Sequence, residues 1–328
     1  MTDDQPNAQG GFVGVDILTF RNATRDISFD VYLKLGDNNF AHVFSRSTGL
    51  DYKRLAQYVQ KGLKELFIKV EDVPAYNAFV KRTADSIFND QNTPTEKKIA
   101  TLLNMTEQNM AELFSQTGVS EETAESTQRV VKNYVHLMVE NPKTLAVILR
   151  LVSHGDYLYY HSIAVAVFSM FVAKASGQFN QRMLELVGMG GFLHDIGCTK
   201  LPKEIVCASN DLSAEQWIDM RSHPKLGLQM IEATPNIPDE VRYIVYQHHE
   251  EPGGQGYPNG LRSPVIYYPA KIVAIADAFS ALISKRPFRP AYTPEQAISI
   301  LMKETGKHDR DLVGMLGAIF LRDGKKAA

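Results

Sequence analysis

Seven imidazole and carboxylate side chains sit inside otherwise apolar segments of this chain: His161, His194, Asp195, His223, His248, His249 and Asp277. Burying such groups singly is costly unless each is paired or metal-bound, so a stable fold must bring their segments together. The densest stretch is Met189 to Pro202, MGGFLHDIGCTKLP, where His194 and Asp195 end an apolar run of Met183, Leu184, Leu186, Val187, Met189, Phe192 and Leu193. Gly197 follows, and glycine permits a helix C-cap there.

The pattern of the segments sets the architecture. Residues 1–10 read as a disordered tail and 11–80 as a small α/β domain. Within it, Asp30 to Leu35 and Asn39 to Phe44 alternate across the turn signal Gly36-Asp37-Asn38, which predicts a hairpin. Asp51 to Leu63 carries Leu55, Tyr58, Val59 and Leu63 at helical spacing, and Glu65 to Val70 returns to strand character. Residues 81–150 read as a helical connector, with breaks at Asn89–Pro94, Gln116–Gly118 and Asn141-Pro142. From 151 to 328 every apolar segment reads as helix: Asp156–Ala175, Gln181–Asp195, Ser213–Ala233, Pro238–Glu250, Pro269–Ser284, Thr293–Thr305 and Asp309–Leu321. The expected fold is mainly α, a C-terminal helical bundle behind a small N-terminal α/β domain.

Composition removes several classes. Lys plus Arg is 35 against 37 for Asp plus Glu, so no global basic field points to long nucleic acid or an anionic membrane. Two cysteines, Cys198 and Cys207, are too few for a disulfide framework, although one bridge between them stays open. The polar N-terminus and the absence of any long apolar run predict a cytoplasmic protein without membrane insertion. The amphipathic connector helices are compatible with a homodimer or a signalling-protein partner.

Metal sites in helical bundles are built from side chains that project inward from different helices. Five imidazoles and two carboxylates exceed the needs of one tetrahedral ion, so two ions are expected, with Asp195 bridging through its two oxygens. Mixed imidazole and carboxylate ligation without thiol pairs suits iron, manganese or zinc in a reactive site. Each histidine alone is readily a hydrogen-bonded core residue; the weight lies in the set. His42, His136, His154 and His308 are read as structural or surface groups.

At these residues the chain resembles the HD-GYP family of bacterial cyclic dinucleotide phosphodiesterases, a branch of the HD metallohydrolases. His194-Asp195-Ile196-Gly197 is similar to its HDIG motif. His248-His249-Glu250 followed by Gly254-Gln255-Gly256-Tyr257-Pro258 is similar to the signature that names it, and Ala276-Asp277-Ala278-Phe279 with Arg286-Pro287-Phe288-Arg289 to the downstream block. The likeness spans about Tyr157 to Phe320. It implies the HD-type bundle and hydrolysis of cyclic di-GMP, or a related cyclic dinucleotide, assisted by two divalent ions, iron first with manganese or zinc as alternatives. It assigns His161, His194, Asp195 and Asp277 to one ion and Asp195, His223, His248 and His249 to the other, with His194 and Asp195 as the catalytic core. Arg286 and Arg289 match positions that hold substrate phosphates; Tyr257 lies on the signature loop near the substrate.

Four positions depart from the family pattern. Cys198 stands where a lysine usually follows HDIG, and Lys200, two residues on, is the remaining cation there. Tyr157 replaces the glutamate of members with a third ion; Gly253 and Ser280 replace aspartates. Cys198, Gly253 and Ser280 favour one rival to the phosphodiesterase, a degenerate receptor that binds metal and nucleotide without turnover; a second rival, a mononucleotide phosphohydrolase of the wider HD superfamily, has the Gly256-Tyr257-Pro258 loop and the Arg286 and Arg289 pair against it.

Overall fold

The computed structural model of the chain describes residues 11–21, 23, 25–140, 157–206, 208, 211–285 and 289–323. The tail at 1–10, the break at Asn141-Pro142, His154, Cys207 and Arg286 therefore lie outside the described residues. The chain divides into two compact units, Met1–Asn104 and Met105–Ala328.

The first unit holds a four-stranded antiparallel sheet of β1 (Phe12–Asp16), β2 (Val31–Gly36), β3 (Asn39–Phe44) and β4 (Glu65–Lys69), in the order β1-β4-β2-β3. The predicted hairpin is β2 and β3, and its turn places Asn38 at φ 58°, a left-handed conformation that asparagine tolerates better than most residues. Helix α1 (Leu18–Arg21) precedes β2, and α2 (Tyr52–Gln60) lies between β3 and β4. Asp51 starts α2 by accepting hydrogen bonds from the amides of Lys53 and Arg54. Alternation puts Leu66 and Ile68 into a core with Phe20, Phe29, Val31, Tyr76 and Phe79, the last two from α3 (Val73–Asn89).

The second unit is helical, as its 3.6-residue patterning predicts. Helix α4 (Thr95–Ser115) begins in the first unit and ends in the second, followed in the second by α5 (Glu121–Glu140) and by α6 (Tyr157–Ala175), which is apolar on all sides and accordingly buried, from Ile163 through Phe168 and on to Ala173. Against α6 pack α7 (Gln181–Leu193) and α12 (Tyr268–Ile283). The glycines of α7 make this crowding workable. A Cβ on Gly188 would meet Met170 and Val131, one on Gly190 would meet Ile244, and one on Gly191 would meet the Ala166 backbone. Three close partners explain why the segment ahead of His194 reads Gly188-Met189-Gly190-Gly191.

The remaining elements are α8 (Lys203–Val206), α9 (Ala214–Met220), α10 (His223–Ile231), α11 (Asp239–Gln247), α13 (Pro294–Lys303) and α14 (Arg310–Asp323). Two details correct the sequence reading. The segment 213–233 is two helices, not one, because Pro224 favours a fresh helix start and Arg221-Ser222 turn the chain between them. Gly197 is not a C-cap: α7 is capped by His194, and Gly197 lies in the 3₁₀ turn Ile196–Lys200 without a positive φ. Its function is close approach, since a Cβ there would collide with the carbonyl of His223. Among the described residues no helix is long and apolar enough to cross a membrane.

Candidate metal centre and cavity

Each of the seven predicted residues arrives from a different place in the bundle or from a helix end. His161 is on the first turns of α6, Asp277 on α12, and His223 opens α10. His194 caps α7, and His248-His249 closes α11. Asp195 lies just past α7 at φ −100° and ψ 12°, in the sparsely populated bridge region where active-site residues recur. The structure brings all seven together.

Asp195 is the centre. Its Oδ1 lies 3.2 Å from His223 Nε2 and 3.7 Å from His248 Nε2, while its Oδ2 lies 3.2 Å from His194 Nε2. Potential ligand atoms of Asp195, His223, His248 and His249 all fall within 4.8 Å of one another, and so do those of His161, His194 and Asp195. One carboxylate thus turns an oxygen to each set. Asp277 joins the second set through His161, with Oδ1 3.0 Å from His161 Nε2.

The surrounding backbone fixes which nitrogen of each ring faces inward. Nδ1 of His194, His223 and His248 donates to the carbonyls of Gly191, Met220 and Val245, three residues earlier in each case, at 2.8, 2.7 and 2.8 Å. These bonds assign the proton to Nδ1 and leave Nε2 directed at the centre, the outer-shell arrangement typical of metal-binding histidines. Ser280 bonds His161 Nδ1 at 3.2 Å and so occupies the same outer position for the fourth ring. A departure from the family pattern therefore acts as a support of the cluster.

The donor set fits a cation. His194 Nε2 is fully buried with no aligned hydrogen-bond partner, Asp195 Oδ2 being close but off-line. His223 Nε2 and His248 Nε2 face each other at 3.1 Å. Two imidazole lone pairs repel at that separation, whereas two nitrogens at about 2.1 Å from one ion sit about 3.0–3.4 Å apart. Burial holds His223 at a pKa of about 4, so it stays neutral, and burial likewise lowers His249. Burial opposes ionisation of Asp195 and Asp277, but the charge of His194 beside the first and the hydrogen bond from His161 to the second hold both carboxyls well below the usual range.

His194 behaves differently, and its difference has a pH consequence. Burial lowers its affinity for a proton, yet attraction to Asp195 and Asp277 prevails and raises its pKa to about 9. In the metal-free protein Nε2 therefore carries a proton below about pH 9, which an arriving ion must expel. Metal affinity is expected to rise about tenfold per pH unit from 7 to 9 and to flatten above. Calorimetry at pH 7 in buffers of different ionisation enthalpy should register close to one proton released at this site; an affinity flat from pH 7 to 9 would contradict the assignment.

The cluster lies at the base of a cavity of about 490 Å³. Tyr257 stacks on His249, with ring centroids 4.6 Å apart, as the signature loop folds over α11. That loop is organised by Glu250, only 2% exposed, whose two oxygens accept the amides of Asn259 and Leu261 at 2.7 Å each. Glu250→Ala should leave both amides without that acceptor and cost about 2 kcal/mol, read as a lower melting temperature with weaker nucleotide binding; an unchanged melt would remove Glu250 from this function.

Other expected positions fall elsewhere. Lys200 is exposed and not part of the described cavity wall. The Arg289 guanidinium donates to the carbonyls of Ala281, Leu282 and Pro290, closing the end of α12 rather than facing the cavity. Arg286 lies outside the described residues. Conversely, the wall contains Trp217, Arg221, Lys307 and His308, none of which the sequence analysis selected. His308, read there as structural or surface, is buried, with Nε2 3.1 Å from Glu304 and burial lowering its pKa. No spacing links these four to HDIG; only the fold puts them beside it. Cys198 also lines the cavity as a free buried thiol, kept protonated by burial and by the charge of Asp195.

Comparison with known proteins agrees with this geometry. Residues 168–312 match the HD domain family. The chain is 32% identical over 137 residues to the cyclic di-GMP phosphodiesterase response regulator RpfG of Xanthomonas campestris, covering 42% of this chain and 36% of the relative. It is 28% identical over 172 residues to the cyclic di-GMP phosphodiesterase PA4108 of Pseudomonas aeruginosa, covering 52% and 41%. The chain thus spans about two fifths of the length of these curated relatives. Bd1817, a HDG"Y"P protein from Bdellovibrio bacteriovorus, superposes with a TM-score of 0.67 at 20% identity over 94% of this chain and 99% of its own, which establishes a shared fold. The stretch similar to the HD domain family, residues 168–312, takes in six of the seven cluster residues, with His161 just ahead of it.

Proposed function

We propose that the chain is a phosphodiesterase acting on cyclic di-GMP or a related cyclic dinucleotide, with two divalent ions held by the cluster. The observation that carries this reading is the double orientation of Asp195, one oxygen towards each histidine set. His161, His194 and Asp277 would complete one ion's shell, and His223, His248 and His249 the other's. Iron is the first candidate, with manganese and zinc next, because the donors are imidazole and carboxylate. Ions so placed would act as Lewis acids on the phosphoryl oxygens and lower the pKa of water.

The chain's own groups do the positioning. Backbone carbonyls lock three imidazoles, so the cluster does not rearrange as charge develops on the phosphate. Tyr257, packed on His249, closes one side of the cavity and limits water. The curated relatives named above are cyclic di-GMP phosphodiesterases, which supports the substrate class.

A receptor without turnover is the second reading. It is favoured by the neutral Cys198 and by Arg289, whose guanidinium is engaged with backbone carbonyls. The deciding experiment is anaerobic purification, metal analysis, and incubation of the same sample with cyclic di-GMP, its relatives and a panel of mononucleotides. Linear dinucleotide from the cyclic substrates supports the phosphodiesterase. Tight binding with no linear product supports the receptor, and turnover confined to mononucleotides would refute both.

A further inference from the structure

The outer wall of the cavity carries a second, distinct arrangement on α9. This seven-residue helix is set by a capping box between Ser213 and Gln216 and has no buried residue. Trp217, Met220 and Arg221 occupy positions i, i+3 and i+4 and all line the cavity, so one face of the helix is turned to it. Trp217 is the single tryptophan of the chain and is 47% exposed. The Arg221 guanidinium lies 5.6 Å from the centroid of the Tyr257 ring and has no carboxylate partner among the described residues. Lys307, the other cation of the wall, is 3.1 Å from Glu304.

An indole left half in water, one helical turn from a guanidinium with no carboxylate partner among the described residues, is a poor arrangement for stability and a good one for a nucleotide. Every nucleobase has a π-face that stacks on an aromatic ring, and guanidinium bonds two phosphate oxygens at once. A cyclic dinucleotide has two phosphodiesters, and the His/Asp cluster accommodates only the one at the cavity base. We infer that α9 holds the other half of the ligand: a purine base stacks on Trp217 and Arg221 takes the second, uncleaved phosphate. This rests on the cyclic dinucleotide reading and adds to it the residues that distinguish a dinucleotide from a simple phosphodiester. It supplies from Arg221 the substrate cation that Arg289 does not provide.

Because Trp217 is the only indole, its emission reports the contact directly, whether or not turnover occurs. Titration of metal-loaded protein with cyclic di-GMP should quench that emission by half or more. Trp217→Ala should raise the dissociation constant and KM about tenfold, leave kcat within threefold, and keep the metal content; Trp217→Phe should restore binding to within threefold. Arg221→Ala should raise KM about tenfold for cyclic di-GMP but leave KM for bis(p-nitrophenyl) phosphate, which has one phosphate, within twofold. Equilibrium dialysis showing that cyclic di-GMP binds Trp217→Ala as tightly as the native chain, or binds without altering the emission, would overturn the subsite while leaving the phosphodiesterase reading intact. No binding of cyclic di-GMP to protein that retains its metal would overturn both.

Discussion

Asp195→Ala should release both ions of the proposed two-ion centre and lower kcat/KM on the proposed substrate, cyclic di-GMP, by about three orders of magnitude or more. The reasoning is geometric. Oδ1 faces His223 and His248 while Oδ2 faces His194, so one substitution removes a ligand from each set. It also removes the larger of the two carboxylate charges that offset the burial of His194. Metal assistance contributes several kcal/mol to the transition state, and about 4 kcal/mol corresponds to roughly 10³ in rate. Asp277→Ala is the informative contrast. Among the described residues that carboxylate hydrogen-bonds His161 and is not part of the Asp195, His223, His248 and His249 set, so that set persists and about one ion per chain of the proposed two should remain. Metal analysis of the two variants distinguishes them. Two ions retained by Asp195→Ala would exclude the bridging role.

Much of this arrangement was legible before any coordinates. A histidine or aspartate inside an apolar helix is expensive alone, and seven of them on five separate segments signal convergence. The helices were equally plain, because α6, α7 and α12 are apolar runs longer than a strand and bury nearly everything they carry. What escaped detection lacks such a penalty. Trp217 and Arg221 sit on a short exposed helix, where either residue is ordinary, and they matter only because α9 borders the cavity. Arg289 differed in the opposite sense: its motif position suggested phosphate, but its guanidinium donates to the carbonyls of Ala281 and Leu282 at the end of α12 and of Pro290 beyond it. Ser280 was read as a loss and is a hydrogen-bond partner of His161. Sequence spacing reveals which groups must be neutralised, while the partners that orient them follow from tertiary contact.

Gly197→Ala should be among the most damaging single changes in the chain, although it adds one methyl group and touches no ligand side chain. The 3₁₀ turn after Asp195 lies directly against the start of α10, and a Cβ at 197 would overlap the carbonyl of His223 and come within 2.5 Å of the Gly227 amide. Both are backbone atoms, which cannot swing aside as a side chain can. Relief requires α10 to move away, and His223 moves with it. Overpacking of this kind costs about 3 kcal/mol, which for a unit of the size of Met105–Ala328 corresponds to a fall of about 6–12 °C in melting temperature. The loss of metal should be uneven: the set containing His223, His248 and His249 is disturbed, whereas His161 and Asp277 approach from α6 and α12 and are not. Gly314→Ala is the control, because a Cβ there meets nothing within 4 Å and the site is in the helix α14. It should stabilise slightly, since alanine is favoured over glycine in a helix by about 1 kcal/mol. If Gly197→Ala melted with the native protein and kept both ions, the close approach of α10 to the HDIG turn, and with it the placement of His223 beside Asp195, would have to be abandoned.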